Sequence, residues 1–399
     1  MYVLVSFLGR TPRNEDGYRQ TTYRLPDGTR EQAAYLGYCL QRWQRPDRLV
    51  ILGTAGSMWD HLFERDVDLA GQEEEKRLEL GDWVDRQAVT QEHLDALTPL
   101  LAASLGCEIE LRIIPEALKE NEQVALLQIL DQATEGATHL SIDVTHAYRH
   151  LPMIALTAAL YLRAARPELA IEGLWYGAYR PETATAEVCD LSGLLNITAW
   201  IEALQRHDWL GDYGAVAELI KADHATVAEN LRQAAFCESI HQGQRARGLL
   251  KKARNNLHEH PLSGPGALFQ PLLEERMKWV DGNYLYERQR TQALNALRQD
   301  DYLRASLYGF EAFITKLAQE RGFVGRQNEQ AERETAKEWF ETEKPASYTQ
   351  YQLLRKTRNA LAHGDKAKSD RVQQALASPQ RLRALLEECF TVLLPEQTP

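Results

Sequence analysis

The 399-residue chain is short of several things, and each shortage excludes something. Its five cysteines, Cys39, Cys107, Cys189, Cys237 and Cys389, are scattered and odd in number. None stands in a CxxC pair, which argues against a zinc knuckle or a disulfide framework and suits a reducing compartment. The longest nearly uncharged apolar stretch, 151–162, is about 12 residues, whereas a membrane span needs about 20. Residues 1–9 lack the basic start and long apolar centre of a signal peptide, so a cytoplasmic protein without membrane contact is expected. No Walker A and no GxGxxG is present, which leaves mononucleotide and dinucleotide cofactors poorly supported. There is no internal repeat and no low-complexity tract.

Positive charge is also scarce. Lys and Arg number 46 against 57 Asp and Glu, a net charge of −11. A general nucleic-acid coat protein would be basic. The acid is unevenly placed, however. Residues 1–190 carry 18 basic and 30 acidic side chains, a net of −12, whereas 191–399 carry 28 and 27, a net of +1. Hydrophobic residues at 44% and charged residues at 26% are ordinary for globular chains, and the length predicts two domains.

The first half alternates β-rich runs with helical spacing. Strands are predicted at 2–7, 48–52, 108–113 and 138–144, with a closing strand pair at 172–179 and 187–191. Helices are predicted at 30–43, 91–105, 122–134 and 148–165. Such alternation builds a mostly parallel sheet with helices on both faces, and ligands then bind beyond the carboxyl ends of the strands. The densely charged segment at about 66–86 is poorly periodic and is expected to be a surface insertion or a mobile loop. After about residue 192 only helical patterns remain, at 213–231, 231–257, 268–279, 290–298, 302–321, 350–362 and 372–394. The expected organisation is therefore an α/β domain over 1–191 and an all-α region over 192–399.

Three predicted strand ends carry small or polar residues: Gly9-Arg10, Thr54-Ala55-Gly56-Ser57, and Thr145-His146 through Arg149 after Asp143. In a doubly wound sheet they line one edge. Gly, Ser and Thr allow close backbone approach and offer donors to phosphate. Arg10 and Arg149 add charge-assisted contacts, and a helix starting near His146 would add the positive end of its dipole. A tight turn or a helix cap would explain any one of these loops; the coincidence of three favours a ligand.

In the second half, Arg358-Asn359-Ala360-Leu361-Ala362-His363 has R-x4-H spacing. His moves protons near neutral pH, and a guanidinium stabilises charge developing on a phosphate, as metal-independent RNA cleavage by the ribose 2′-hydroxyl requires. On a regular helix Arg358 and His363 lie roughly 140° apart, so one helix does not aim both at one atom. Either the helix is irregular there, or two subunits each contribute a motif to a shared cleft. Arg355, Lys356 and Lys366 are candidate phosphate-backbone contacts. The run at 244–256 holds five basic residues and no acid, and reads as a solvated face or an RNA-facing stripe.

Together, Asp143-Val144-Thr145-His146-Ala147-Tyr148-Arg149, the Gly53-Thr54-Ala55-Gly56-Ser57 loop and the Arg358-Asn359-x-x-x-His363 motif resemble the CRISPR-associated CARF–HEPN ribonucleases of type III systems. The resemblance implies a Rossmann-like CARF sensing domain followed by a helical linker and an all-α HEPN nuclease domain. It implies a homodimer activated by cyclic oligoadenylate, cyclic tetra-adenylate being favoured over cyclic hexa-adenylate. The substrate would be single-stranded RNA, cut to 2′,3′-cyclic phosphate ends in antiviral defence, with no metal and no stable contact with the CRISPR effector complex. Under it Arg358, Asn359 and His363 are catalytic. Gly9, Arg10, Thr54, Ala55, Gly56, Ser57, Thr145, His146 and Arg149 bind the activator, and Tyr176 stacks on adenine. Two other outcomes stay open: a nucleotide sensor without ribonuclease activity, and one that also degrades its activator.

Overall fold

The computed structural model describes residues 1–14, 17–64, 67, 69, 71–146, 148–322, 330–364 and 369–396. The chain divides into two compact units, Met1–Asn196 and Ile197–Pro399.

In the first unit, strands β1 (Tyr2–Leu8), β4 (Thr21–Arg24), β5 (Arg30–Ala33), β6 (Arg48–Gly53), β7 (Glu108–Ile113), β8 (His139–Asp143), β9 (Ala170–Arg180) and β10 (Thr185–Asp190) form one sheet. Its order is β5-β4-β10-β9-β8-β1-β6-β7. The short pair β2 (Arg13–Asn14) and β3 (Gly17–Tyr18) stands apart. The five strands from β9 to β7 are parallel, with Val5 opposite both Val50 and Ile142. β10 runs antiparallel to β9. After β4 and β5 at the far end of the sheet, the chain places β6 and β7 outward from β1, then returns to β8 on the other side of β1. That reversal puts the switch point, where such sheets bind ligands, at the carboxyl ends of β1 and β8.

Side chains alternate across the strands. Leu4 and Leu8 join one core, beneath α1 (Leu36–Gln44), α2 (Glu74–Asp85), α3 (Gln91–Asp95) and α4 (Thr98–Leu105). Val3, Val5 and Phe7 join the other, beneath α5 (Glu120–Ala133) and α6 (Leu151–Ala165). The sheet is thus covered on both faces, which is why its central strands read as unbroken apolar runs.

Several expectations are corrected. Residues 30–33 form an edge strand rather than the start of a helix. The helix read at 91–105 is broken after Asp95, and Pro99 sits in the first turn of α4. The charged segment is not merely loop: residues 74–85 form α2, anchored by the buried Leu80 and Val84. Two apolar anchors on twelve residues give too little periodicity to be legible.

The second unit is helical. Its elements are α7 (Gly193–Leu210), α8 (Gly214–Ile220), α9 (Ala225–Ser239), α10 (Gly243–Glu259), α11 (Gly264–Met277), α12 (Leu285–Arg298), α13 (Tyr302–Glu320), α14 (Gln330–Glu343), α15 (Tyr348–His363), α16 (Asp370–Leu376) and α17 (Pro379–Leu393). The expected 213–231, 231–257 and 372–394 helices each break at a turn, and α7 and α14 were not anticipated. Two cores serve this unit, one around Leu231, Leu250 and Met277, the other around Phe313, Tyr351 and Leu386. No described helix is long and apolar enough to cross a membrane.

Candidate functional site

The loops after β1, β6 and β8 converge. Gly9 lies against the backbone of His146 so closely that a Cβ there would sit 1.9 Å from the His146 carbonyl oxygen. Only glycine permits that approach. Met58 N–H donates to the Gly9 carbonyl at 2.9 Å and ties the β6 loop to the β1 loop. The result is a cleft of about 150 Å³ lined by Gly9, Arg10, Thr54, Gly56, Ser57 and His146, with Tyr148 at its wall. A second cleft of about 250 Å³ adjoins it through Arg10 and His146, and includes Arg19, Thr145 and Tyr176.

The predicted residues divide by what they have left to offer. Ser57 is buried; its hydroxyl donates to the Leu8 carbonyl at 2.6 Å and accepts from Thr54 N–H at 2.9 Å. It pins the loop, which leaves Gly56 and the backbone to face the cleft. Thr145 N–H donates to Asp143 Oδ1 at 2.9 Å, Thr145 Oγ1 accepts from Gly177 N–H at 2.8 Å, and the hydroxyl also bonds to the Asp143 carboxylate, so Thr145 serves the turn. Leu36 N–H donates to His146 Nε2 at 3.2 Å. The Tyr23 hydroxyl at 3.0 Å from the same nitrogen must therefore donate as well. Burial pushes His146 down to about 4, so at neutral pH the ring is uncharged and braces the loop between Tyr23 and Tyr35.

Ala55 and Arg149 line neither cleft; Arg149 is exposed, and the Ala55 carbonyl accepts from Val89 N–H. The helix expected to start near His146 starts at Leu151, so its dipole end lies further along the chain than Thr145 and His146. Tyr176 is 40% exposed on β9 and borders the second cleft. Arg10 is not free: Nη2 meets Asp85 Oδ1 at 3.2 Å and Nη1 the Val84 carbonyl at 3.4 Å. The charged segment thus supplies the acid that holds a site arginine. Sequence reasoning missed the β4 side of the cleft, namely Arg19, Thr21 and Tyr23. Arg19 lies over the Tyr179 ring at 4.4 Å and gives this cleft a second cation. The alternation in Thr21-Thr22-Tyr23-Arg24 was the signal that could have found it.

Asp143 sits beneath these loops, fully buried. It accepts the Ser6 hydroxyl at 2.6 Å and both the N–H and the hydroxyl of Thr145, yet burial outweighs these bonds and lifts its carboxyl to about 6. It organises the β8 turn from below.

In the second unit, Arg358, Asn359 and His363 all lie on α15, which is regular to His363 and ends at Gly364 in the left-handed conformation (φ 66°). The irregular-helix alternative is thereby removed, and the two side chains of one chain stay roughly 140° apart. Arg358 packs its guanidinium over the Phe310 ring at 4.5 Å, and its Nε is buried without an acceptor. Asn359 and His363 are exposed. Arg355 donates to Glu341 at 2.6 Å and is already occupied, whereas Lys356 is exposed. Lys366 lies outside the described residues. Arg254, in the basic run, pairs with Asp281 at 2.6 Å. Among the described residues, no cluster of three His, Cys, Asp or Glu side chains is placed to hold a metal.

Residues 3–177 match the family described as CRISPR system endoribonuclease Csx1, CARF domain. CRISPR-associated protein MJ1674 of Methanocaldococcus jannaschii is 24% identical over 258 residues, which covers 58% of this chain and 40% of that protein. The chain therefore spans less than half the length of that relative. Enterococcus italicus Csm6, solved with cyclic hexa-2′-fluoro-hexa-dAMP, is 12% identical at a TM-score of 0.41, over 100% of this chain and 95% of that one. That likeness is too loose to place residues.

Proposed function

We propose that the chain, whose residues 3–177 match the Csx1 CARF family, is a ribonuclease switched on by cyclic oligoadenylate and acting in type III CRISPR defence. The observation that carries the sensing half is the convergence of three strand-end loops on one cleft beside Arg10 and Arg19. Gly9 and the β6 loop admit a phosphate close to backbone, the arginines supply charge, and Tyr176 offers a ring to a base. An even-membered adenylate ring suits an isologous dimer, whose two halves present the same surface.

The nuclease half rests on Arg358, Asn359 and His363. Because one regular helix does not bring Arg358 and His363 to one atom, the reading requires two α15 helices from two protomers at a shared cleft. There the ribose 2′-hydroxyl attacks the adjacent phosphorus and the bond to the 5′-oxygen breaks. One histidine takes the 2′-hydroxyl proton and its twofold mate returns a proton to the leaving oxygen. Arg358 stabilises charge on the phosphoryl oxygens, and Asn359 orients the ribose or the partner motif. The products are a 2′,3′-cyclic phosphate and a 5′-hydroxyl. Ligand at the strand-end loops favours the aligned dimer by binding it more tightly than the idle one.

The test is cleavage of labelled single-stranded RNA by the full chain against a panel of cyclic adenylates in EDTA. Cleavage should require the ring, survive EDTA, and fall by about 100-fold or more in His363→Ala. Unchanged cleavage by H363A would remove the assignment. Ring binding without RNA cleavage would leave a nucleotide sensor alone, and linear products from the ring would add slow activator degradation.

A further inference from the structure

The second unit holds a cleft of about 350 Å³ that belongs to none of the residues above. It opens at the start of α10, a helix of 17 residues, and its far wall comes from α12. His241, just before the helix, has φ 60°, a conformation costly for a non-glycine residue. The turn it makes leaves Gly243 and Gln244 N–H without acceptors, while the next two amides, of Arg245 and Ala246, bond to the Gln242 carbonyl. Free amides on the first turn of a long helix favour an anion.

A second and independent observation lies inside the cleft. Arg288 of α12 is only 6% exposed. Its Nη1 is fixed by the Gly282 and Asn283 carbonyls at 2.7 and 3.3 Å, its enclosed Nε has no acceptor and does not reach the cleft surface, and its Nη2 makes no hydrogen bond among the described residues. No carboxylate lies within ion-pair distance of it among the described residues, and burial together with nearby Arg247 lowers its pKa. A guanidinium both buried and unpaired is costly unless an anion joins it. Arg245 stands exposed at the rim without a partner of its own.

The remaining walls suit a base rather than a bare ion. Trp279 and Tyr308 line it, with the His241 ring 4.6 Å from that of Tyr308. Gln289 and Gln292 line the same cleft, Gln292 being buried. A side-chain amide fits the exocyclic amine or a ring N–H of a nucleobase.

We propose that this cleft binds a nucleoside 5′-monophosphate, free or as the 5′ end of an RNA. The phosphate sits on Arg288, the Gly243 and Gln244 amides and Arg245, and the base lies between the aromatic wall and the glutamines. The site is separate from the strand-end loops of the first unit and from α15, and it does not depend on the activity proposed above.

The test is calorimetric titration of the full chain with AMP, GMP, adenosine, inorganic phosphate, and a short RNA carrying either a 5′-phosphate or a 5′-hydroxyl. A monophosphate should bind at least tenfold more tightly than adenosine or inorganic phosphate. Arg288→Gln should weaken it about tenfold or more, and Arg245→Ala severalfold. Arg245 is exposed, so R245A carries the test if R288Q fails to fold. Tight binding of 5′-phosphorylated RNA assigns the site to RNA ends, and binding of mononucleotides alone assigns it to a small ligand. The proposal is overturned if no monophosphate binds at millimolar concentration. Equal affinity for adenosine or inorganic phosphate, or monophosphate affinity unchanged in the folded variants, overturns it too.

Discussion

Asp143→Asn tests the buried carboxylate beneath the β8 loop. In the wild type, burial lifts this carboxyl from 3.8 to about 6 despite the bonds from Ser6 and Thr145. A raised acid stabilises the fold fully below about pH 3.8, where both folded and unfolded forms are protonated. That contribution is lost as pH rises through about 6. The full interval corresponds to about 3 kcal/mol, and the part falling between pH 4.5 and 7 to about 2 kcal/mol. His146 works in the opposite direction. Its pKa is lowered from 6.5 to about 4, so its contribution is complete above 6.5 and lost as pH falls through about 4. The two nearly cancel in the wild type, and only a difference between variants isolates Asp143. Asparagine keeps the shape: its oxygen can accept Thr145 N–H, and its amide can donate to a rotated Ser6 hydroxyl. D143N should therefore gain about 2 kcal/mol on the wild type between pH 4.5 and 7, measured by urea unfolding of the full chain followed by tryptophan fluorescence. A difference constant to within about 0.5 kcal/mol over that range would refute the burial argument.

Three further perturbations follow from the same geometry. Gly9→Ala places a Cβ 1.9 Å from the His146 oxygen and must displace the β1 loop. At about 1–3 kcal/mol of overpacking, cyclic tetra-adenylate affinity should fall by about tenfold or more, and unchanged affinity would separate this loop from the ligand. Asp85→Asn releases Arg10 from its exposed ion pair. Such pairs are worth up to about 1 kcal/mol, so a phosphate ligand should bind up to about fivefold tighter, an advantage that added salt diminishes. Weaker binding would mean that Asp85 positions Arg10 for the ligand. In the second unit, Gly309→Ala would push a Cβ to 2.2 Å from the Phe390 ring. The expected loss of about 1–3 kcal/mol should appear in calorimetry as a fall of several degrees in the unfolding midpoint.

Much of the first unit was legible because its central strands are buried on both faces. Residues 2–8, 48–53 and 139–143 read as short apolar runs closed by small or polar residues, the edge strand at 108–113 shows period-two alternation, and the alternation with helices implies parallel order. The edge strand at 30–33 was not legible, because an edge is paired on one side only and its exposed residues carry no core pattern, and the interior strand at 21–24 is too short, at four residues, for its alternation to stand out. Arg19, Thr21 and Tyr23 of the second cleft were lost with the latter. α2 escaped for a similar reason: its two buried anchors are outnumbered by charges that face solvent.

The sequence by itself determined the element types at the sheet centre, the change to all-helical structure after residue 192, the candidate strand-end loops and the Arg358–His363 spacing. These are properties of local pattern, and the 140° separation follows from helix pitch alone. Only the tertiary structure decided which polar side chains remain available. Ser57 spends its hydroxyl on Leu8 and Thr54, and Thr145 spends its own on Gly177 and Asp143, whereas Tyr176 stays 40% exposed beside the second cleft. Arg10 is held by Asp85, 75 residues along the chain, and Arg288 is left buried without an acid. A hydrogen-bond partner or a missing counter-charge depends on what another segment brings alongside, and no local pattern carries that information.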